Sequence, residues 1–201
     1  MQKLKYSAGA VSKGFWFQEF KKYIDELSKG KTEADIKKEQ EEKNLFMAPS
    51  PSYGKKMINE MARRVNALPK DIIELFPKLN VSDQKLVNLL GIMMTDRLFF
   101  EFMYEVYREA LLTGTKVFED RAVRIFLKNK SEQSEKVAGY TEETKERLRV
   151  AYKTYLREAN LLKDEGKYTV YQKPIMDVSL ENRLKVPSLY PYFAAITGVL
   201  L

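Results

Sequence analysis

Hydrophobic residues recur at helical spacing from the start of the chain, and they predict a first amphipathic helix over residues 15–27, which Gly30 ends. The apolar positions of this helix are Phe15, Trp16, Phe20, Tyr23, Ile24 and Leu27. A second, charged helix follows and runs to about Lys43. Thr32 is its predicted N-cap, with Asp35 three residues later in the place where a capping box usually has Glu.

A longer basic helix is predicted after a turn over residues 44–50. Ser50 has the residue type of an N-cap and Pro51 suits the first helical position, so the helix should run from there to about Leu68. Pro69 and Pro77 then bracket one short helix. A helix, a short turn, a helix, a turn and a longer basic helix form the layout of a helix-turn-helix module.

The most apolar stretch of the chain is Ser82–Leu112, which Gly114 ends. Its apolar residues occupy nearly every helical face, which predicts buried helices rather than surface ones. Asp96 and Arg97 interrupt the stretch. Because neighbouring residues on a helix do not face each other, each either finds a partner elsewhere or marks a break between two helices.

The C-terminal third predicts several short helices followed by a strand. Asp120 is expected to cap a helix to about Lys128, and residues 134–138 form a second, short one. Thr141 is expected to cap a long helix over Glu142–Leu162.

After Gly166, the segment Lys167–Gln172 alternates and is rich in β-formers, so it is predicted to be a strand. This arrangement predicts a second helix-turn-helix, with a wing. The expected fold is therefore mostly α with a small β-hairpin. Residues 1–80 would form a helix-turn-helix-like region, and residues 81–201 a buried helical middle with a winged-helix-like end.

The helix from Pro51 to Leu68 has two distinct faces at 100° per residue. One is apolar and comprises Met57, Ile58, Met61, Val65 and Leu68. The opposite face is polar, contains no acid, and comprises Ser52, Lys55, Lys56, Asn59, Arg63 and Asn66. Glu60 and Arg64 lie at its edges. Lys and Arg neutralise phosphates, and Asn and Ser reach base edges, so this face is predicted to bind DNA, with an ordinary basic surface as the alternative.

The exposed side of the Glu142–Leu162 helix mixes signs, and Glu143 with Arg147 is an i,i+4 pair. Leu148, Tyr152, Tyr155, Leu156 and Ala159 form the predicted core stripe of this helix, and the mixed charges favour a solvated, self-paired exposed face over a nucleic-acid contact. Phosphate contacts through the wing remain open for Lys145, Lys163 and Lys167.

The composition indicates a net positive charge and lacks residue types that many catalytic and metal sites need. The formal net charge is +7, and residues 1–70 hold 15 Lys and Arg against 9 Asp and Glu, which favours a polyanionic partner. The 201 residues include no Cys and no His, which excludes disulfides, thiolate metal sites and Ser-His or Cys-His nucleophile pairs. No glycine-rich phosphate loop occurs. We therefore expect no catalytic residues, no metal, no cofactor and no enzyme.

The sequence contains no run of about 20 mainly apolar residues that would span a membrane, and its first residues carry no apolar run of a signal peptide. These features predict a cytoplasmic protein that does not bind a membrane.

Six segments in order resemble one family. They are Tyr6-Ser-Ala-Gly9, Asn44-Leu-Phe46, Thr95-Asp-Arg-Leu-Phe-Phe-Glu-Phe102, Glu105-Val-Tyr-Arg-Glu109, Ser131-Glu-Gln-Ser-Glu-Lys-Val137 and Tyr152-Lys-Thr-Tyr-Leu-Arg-Glu-Ala-Asn-Leu-Leu162. The chain resembles the BrxA family of BREX bacteriophage-exclusion systems over most of its length. The resemblance implies a non-catalytic accessory protein that binds double-stranded DNA beside other BREX proteins. It transfers no individual contact residue.

The sequence thus predicts DNA binding dominated by phosphate contacts, with weak or no sequence preference. Two alternatives stay open: a subunit that docks onto a larger defence protein, and an RNA-binding helical protein. The oligomeric state does not follow from the sequence.

Overall fold

The structure is a computed structural model that describes residues 4–200. A 3-10 helix, Gly9–Ser12, precedes the first α-helix. The α-helices of the first half are α1 Phe17–Ser28, α2 Glu33–Lys43, α3 Pro51–Ala67, α4 Lys70–Leu75 and α5 Val81–Thr95. Those of the second half are α6 Arg97–Phe102, α7 Arg108–Thr113, α8 Asp120–Gln133, α9 Glu135–Ala138, α10 Glu142–Glu158, α11 Val178–Leu184 and α12 Tyr190–Thr197.

Two strands, β1 Leu162–Glu165 and β2 Tyr168–Tyr171, form an antiparallel hairpin, with Leu162 opposite Tyr171. Val117 bridges Val170, so β2 is paired on both sides. Helices with one small hairpin confirm the predicted fold class.

The predicted capping residues of the first half are confirmed. Thr32 and Asp35 form the capping box, because the Thr32 side chain accepts the Asp35 N–H while the Asp35 carboxylate accepts the Thr32 N–H. The Ser50 hydroxyl accepts the N–H of Tyr53, and Pro51 is the first residue of α3. These local bonds satisfy backbone donors that a helix start otherwise leaves free.

Asp96 lies at a break between two helices, which is one of the two outcomes predicted for it. It ends α5, and its carboxylate accepts the N–H of Phe99 at 3.0 Å, which caps α6. Arg97 pairs with Glu101 at 2.7 Å and lies 3.9 Å from the centre of the Tyr6 ring. The two charges therefore have separate structural roles. A π-helical segment, Met103–Tyr107, connects α6 to α7.

Two predicted boundaries in the C-terminal third are wrong. Asp120 is the first residue of α8 rather than its cap, and the helix continues to Gln133. The long helix ends at Glu158, not at Leu162, because Asn160 adopts a left-handed conformation with φ 62° and turns the chain. Leu162, which extends the apolar stripe in the sequence, pairs with β2 instead.

Helix α3 lies at the centre of the first half, where it packs against α1, α2 and α5. Its contact with α5 is close: a Cβ at Gly91 would lie 3.1 Å from the Cβ of Arg64. The second half packs around α10, which contacts α8, β1 and the 3-10 helix Gly9–Ser12. One hydrophobic core contains residues from both sides of residue 80, and the division of the chain there stays a prediction.

Within residues 4–200, no helix combines the length and the apolar character that crossing a bilayer requires.

Gly198→Ala is expected to destabilise the protein more than Gly114→Ala. Both glycines end helices with φ 70°, so each alanine carries the left-handed penalty of about 1–2 kcal/mol. A Cβ at Gly198 would also lie 2.6 Å from the Cβ of Leu111, whereas nothing lies within 4 Å at Gly114. Overpacking should add about 1–3 kcal/mol at Gly198 alone. Urea unfolding of the two variants measures the difference, and equal losses would contradict the close contact.

Candidate nucleic-acid interface

The polar face predicted for α3 is a narrow exposed stripe in the structure. Five of its six residues are exposed and Lys56 is half-buried, whereas the predicted apolar face is buried throughout. The exposed members are Ser52, Lys55, Asn59, Arg63 and Asn66. We call all six residues the α3 stripe. It is narrow because Gly54 and Ala62, outside the predicted apolar face, are buried as well.

Two residues of the α3 stripe have acidic partners that the helical wheel did not reveal. Arg63 donates to both Glu60 carboxylate oxygens, at 2.8 and 3.0 Å, and to the Thr95 carbonyl at 2.8 Å. Asn66 donates to Glu33 of α2 at 3.0 Å. By contrast, Lys55 and Lys56 form no ion pair within residues 4–200, so their charges are free for a partner.

Glu60 and Arg64, predicted at the edges of the polar face, are buried. The Arg64 side chain is 0% exposed and that of Glu60 is 5% exposed, and the two pair at 3.2 Å. Glu60 also binds Lys13 at 2.7 Å. Burial by itself would raise the pKa of the Glu60 carboxyl, but the hydrogen bond from Arg63 and the charge of Arg64 outweigh it and hold that pKa below its usual value.

Arg64 donates to backbone carbonyls of the N-terminal segment, which we define as residues 4–16. The acceptors are the oxygens of Gly14 at 2.8 Å and Phe15 at 2.6 Å. The Asn88 side chain of α5 also accepts from Arg64 at 3.2 Å. The Arg64 side chain therefore binds groups inside the protein and does not face solvent.

The three lysines predicted to contact phosphate through the wing lie in two different places. Lys163 on β1 pairs with Glu165 at 3.3 Å, and Lys167, in the hairpin turn, is exposed and forms no ion pair in the described chain. Lys145 lies on α10 with only 20% of its side chain exposed, and it pairs with Glu142 at 2.8 Å. The hairpin therefore presents Lys167 freely, while Lys145 is partly covered.

The predicted core stripe of α10 is buried and ion pairs form within the helix, but the predicted pair is not among them. Glu143 and Arg147 do not pair. Glu146 instead binds Arg149 and, across to α8, Arg124, both at 2.8 Å. Hydrogen bonds from these two arginines lower the pKa of Glu146 to about 2. Glu146 thus pairs within its own helix and also joins α10 to α8.

Helix α8 carries basic residues that the sequence analysis did not assign to a site. Arg121, Arg124 and Lys128 follow the i, i+3, i+7 spacing of one helical face, and all three are exposed. A helical wheel of residues 120–133 would have found them.

The candidate residues form three groups. The α3 stripe belongs to the first half, Lys163 and Lys167 to the hairpin, and Lys145 to the space between α8 and α10. Residues 4–200 contain no cluster of three or more acidic side chains able to hold a metal ion. What the arrangement offers chemically is positive charge on helix and hairpin surfaces.

Comparisons with known proteins give one family and one fold. A family model described as BrxA matches residues 4–186. The chain is 31% identical over 180 residues to the BREX protein BrxA of Bacillus cereus strain H3081.97, covering 90% of each chain. The crystal structure of an uncharacterized protein from Magnetospirillum magneticum superposes with a TM-score of 0.79 at 12% identity, covering 98% of this chain and 100% of that one. The latter likeness concerns the fold alone.

Glu60→Gln is expected to cost about 3–5 kcal/mol at neutral pH, because it leaves the buried Arg64 charge without its carboxylate. The folded-state pKa of Glu60 is lowered, so its ionisation stabilises the protein above the unfolded value of about 4.3. That contribution is lost as the pH falls through the folded pKa. The urea midpoint of Glu60→Gln should therefore depend less on pH below about 4.3 than that of wild type.

Glu143→Gln is the matched control, since Glu143 is exposed and has no cation within 4.0 Å in the described chain. Its stability and pH profile should follow wild type. If the stability of Glu60→Gln also depends on pH as that of wild type does, the buried pairing of Glu60 with Arg64 is wrong.

Proposed function

The chain belongs to the BrxA family, a component of BREX phage-defence systems, and on this premise we propose that it binds double-stranded DNA without catalysing a reaction. The observation that carries the proposal is the α3 stripe. It presents the unpaired charges of Lys55 and Lys56, with Asn59 exposed one turn further on. Such a surface suits phosphates with weak or no sequence preference.

The helix pair α2 and α3 supports this role. In a helix-turn-helix protein the second helix enters the major groove, with its N-terminal residues nearest the bases. Lys55 and Lys56 lie in the first two turns of α3, where that docking needs cations. Gln40 of α2 fixes the intervening turn, because its side-chain oxygen accepts the N–H of Phe46 at 2.8 Å. A Cβ at Gly54 would lie 2.3 Å from the Gln40 side chain, so the two helices approach closely.

The second half supports a winged-helix arrangement. After the Val117 bridge come α8, α10 and the β1–β2 hairpin, and β2 lies between Val117 and β1. In this proposal Lys163 and Lys167 act as wing contacts to the phosphate backbone. The absence of His and Cys from the sequence supports the non-catalytic part of the proposal.

One observation favours the alternative function, a subunit that docks onto a larger protein. An open cleft of about 410 Å³ lies between residues 10–14 and the outer side of α10. Its floor is apolar, and Val150 in it is 51% exposed. Exposed apolar surface of this kind is typical of protein interfaces. No residue of the α3 stripe lines this cleft, so docking there is compatible with DNA binding by the stripe.

Lys55→Ala/Lys56→Ala is expected to weaken DNA binding and to reduce its salt dependence. Each lost phosphate contact should lower the slope of log K against log salt by about 0.9. The two lysines form no ion pair within residues 4–200, so the fold should persist. Fluorescence anisotropy with a 5′-labelled duplex of about two helical turns, at several salt concentrations, measures both quantities.

Lys38→Ala/Lys43→Ala makes the same change in net charge on α2, where Glu42 and Glu39 already neutralise the two lysines. This control should bind more tightly than Lys55→Ala/Lys56→Ala. If the two double variants bind alike, the α3 stripe is not the contact surface. If duplex RNA competes as effectively as duplex DNA at the same concentration, the result favours the RNA-binding alternative.

A further inference from the structure

Helix α8 carries a basic surface that does not depend on the α3 stripe. Arg121 and Lys128 are exposed and form no ion pair within residues 4–200, and Arg124 binds only Glu146 while its side chain stays 56% exposed. Seven residues of α-helix rise about 10 Å, which is close to the rise of three phosphates of one strand measured along the duplex axis. Asp120, the first residue of α8, is held by Arg149 and Lys153 of α10, at 2.6 and 3.1 Å.

The same helix forms one wall of a cleft of about 240 Å³ against the start of α10. Three cations line it together with Leu127, Ser131 and two glutamates, and these cations are Arg124, Lys128 and Lys145. Each glutamate is already bound: Glu142 by Lys145, and Glu146 by Arg124 and Arg149, all at 2.8 Å. Lys128 is therefore the cation in this cleft without a carboxylate partner.

We infer that the outer face of α8, with this cleft, binds the phosphate backbone of the duplex. Arginine forks match phosphate oxygens in pairs, and Arg121 has all its donors free of carboxylates. The first helix of a helix-turn-helix crosses the backbone while the second enters the groove, and α8 precedes α10 with the short α9 between them. This inference rests on the proposed function and adds a second contact surface to it.

The test is Arg121→Ala/Arg124→Ala/Lys128→Ala in the full chain, titrated with the same labelled duplex across a salt series. The expected result is binding weakened about tenfold or more, with the slope of log K against log salt reduced by about 2 to 3. Lys38→Ala/Lys43→Ala/Lys70→Ala removes the same total charge from α2 and α4, and it should retain the wild-type slope more closely.

Because Arg124 also binds Glu146, a second variant spares that pair. Arg121→Ala/Lys128→Ala removes no ion pair of the described chain. It should still reduce the slope of log K against log salt by about 2. If both α8 variants bind like the charge-matched control, while Lys55→Ala/Lys56→Ala is impaired, the α8 inference is wrong and the proposed function stands. If wild type binds no duplex at any salt concentration, the proposed function itself is wrong.

Discussion

The buried guanidinium of Arg64 is the interaction on which the arrangement of the first half depends. It joins three segments, because its acceptors are a carboxylate one turn away on α3, the Asn88 amide of α5 and two backbone carbonyls of the N-terminal segment. A buried charge is tolerated only when it is paired and its donors are satisfied. The N-terminal segment must therefore lie across α3 and α5 in one position.

That constraint reaches the second half through Lys13. Its ammonium group binds Glu60, while its backbone carbonyl accepts the hydroxyl of Tyr155 on α10 at 2.7 Å. Tyr155 is buried and stacks edge-to-face on Phe99. One residue of the N-terminal segment thus links α3 to α10. Helices α3 and α10 are therefore held relative to each other by this segment.

Ion pairing inside the chain separates cations that stabilise the fold from cations that remain free. Glu60 alone engages three of them, and Glu146 two. Lys55 and Lys56 of α3, Lys167 of the hairpin, and Arg121 and Lys128 of α8 are among the cations of residues 4–200 that form no ion pair. The net charge of the chain does not show which cations are paired and which are free. Attraction to a polyanion depends on which charges lack a partner, since a neutralised pair contributes little field.

The sequence by itself determined the features whose causes are local. The caps at Thr32, Ser50 and Thr141, the apolar face of α3 and the break at Asp96 follow from residues within a few positions of each other. The family was recognisable for the same reason, because its motifs are contiguous.

Only the tertiary structure decided which polar groups are available. The partners of Arg64 in the N-terminal segment lie 49 and 50 positions away, and the carbonyl that holds Arg63 lies 32 positions away. A helical wheel places Glu60 at the edge of a polar face, but it does not show that α5 and the N-terminal segment cover that edge. Leu162 lies outside its expected helix because Asn160 turns the chain, and it pairs with Tyr171 of the next strand. Burial and pairing are set by neighbours remote in sequence, and no local pattern contains them.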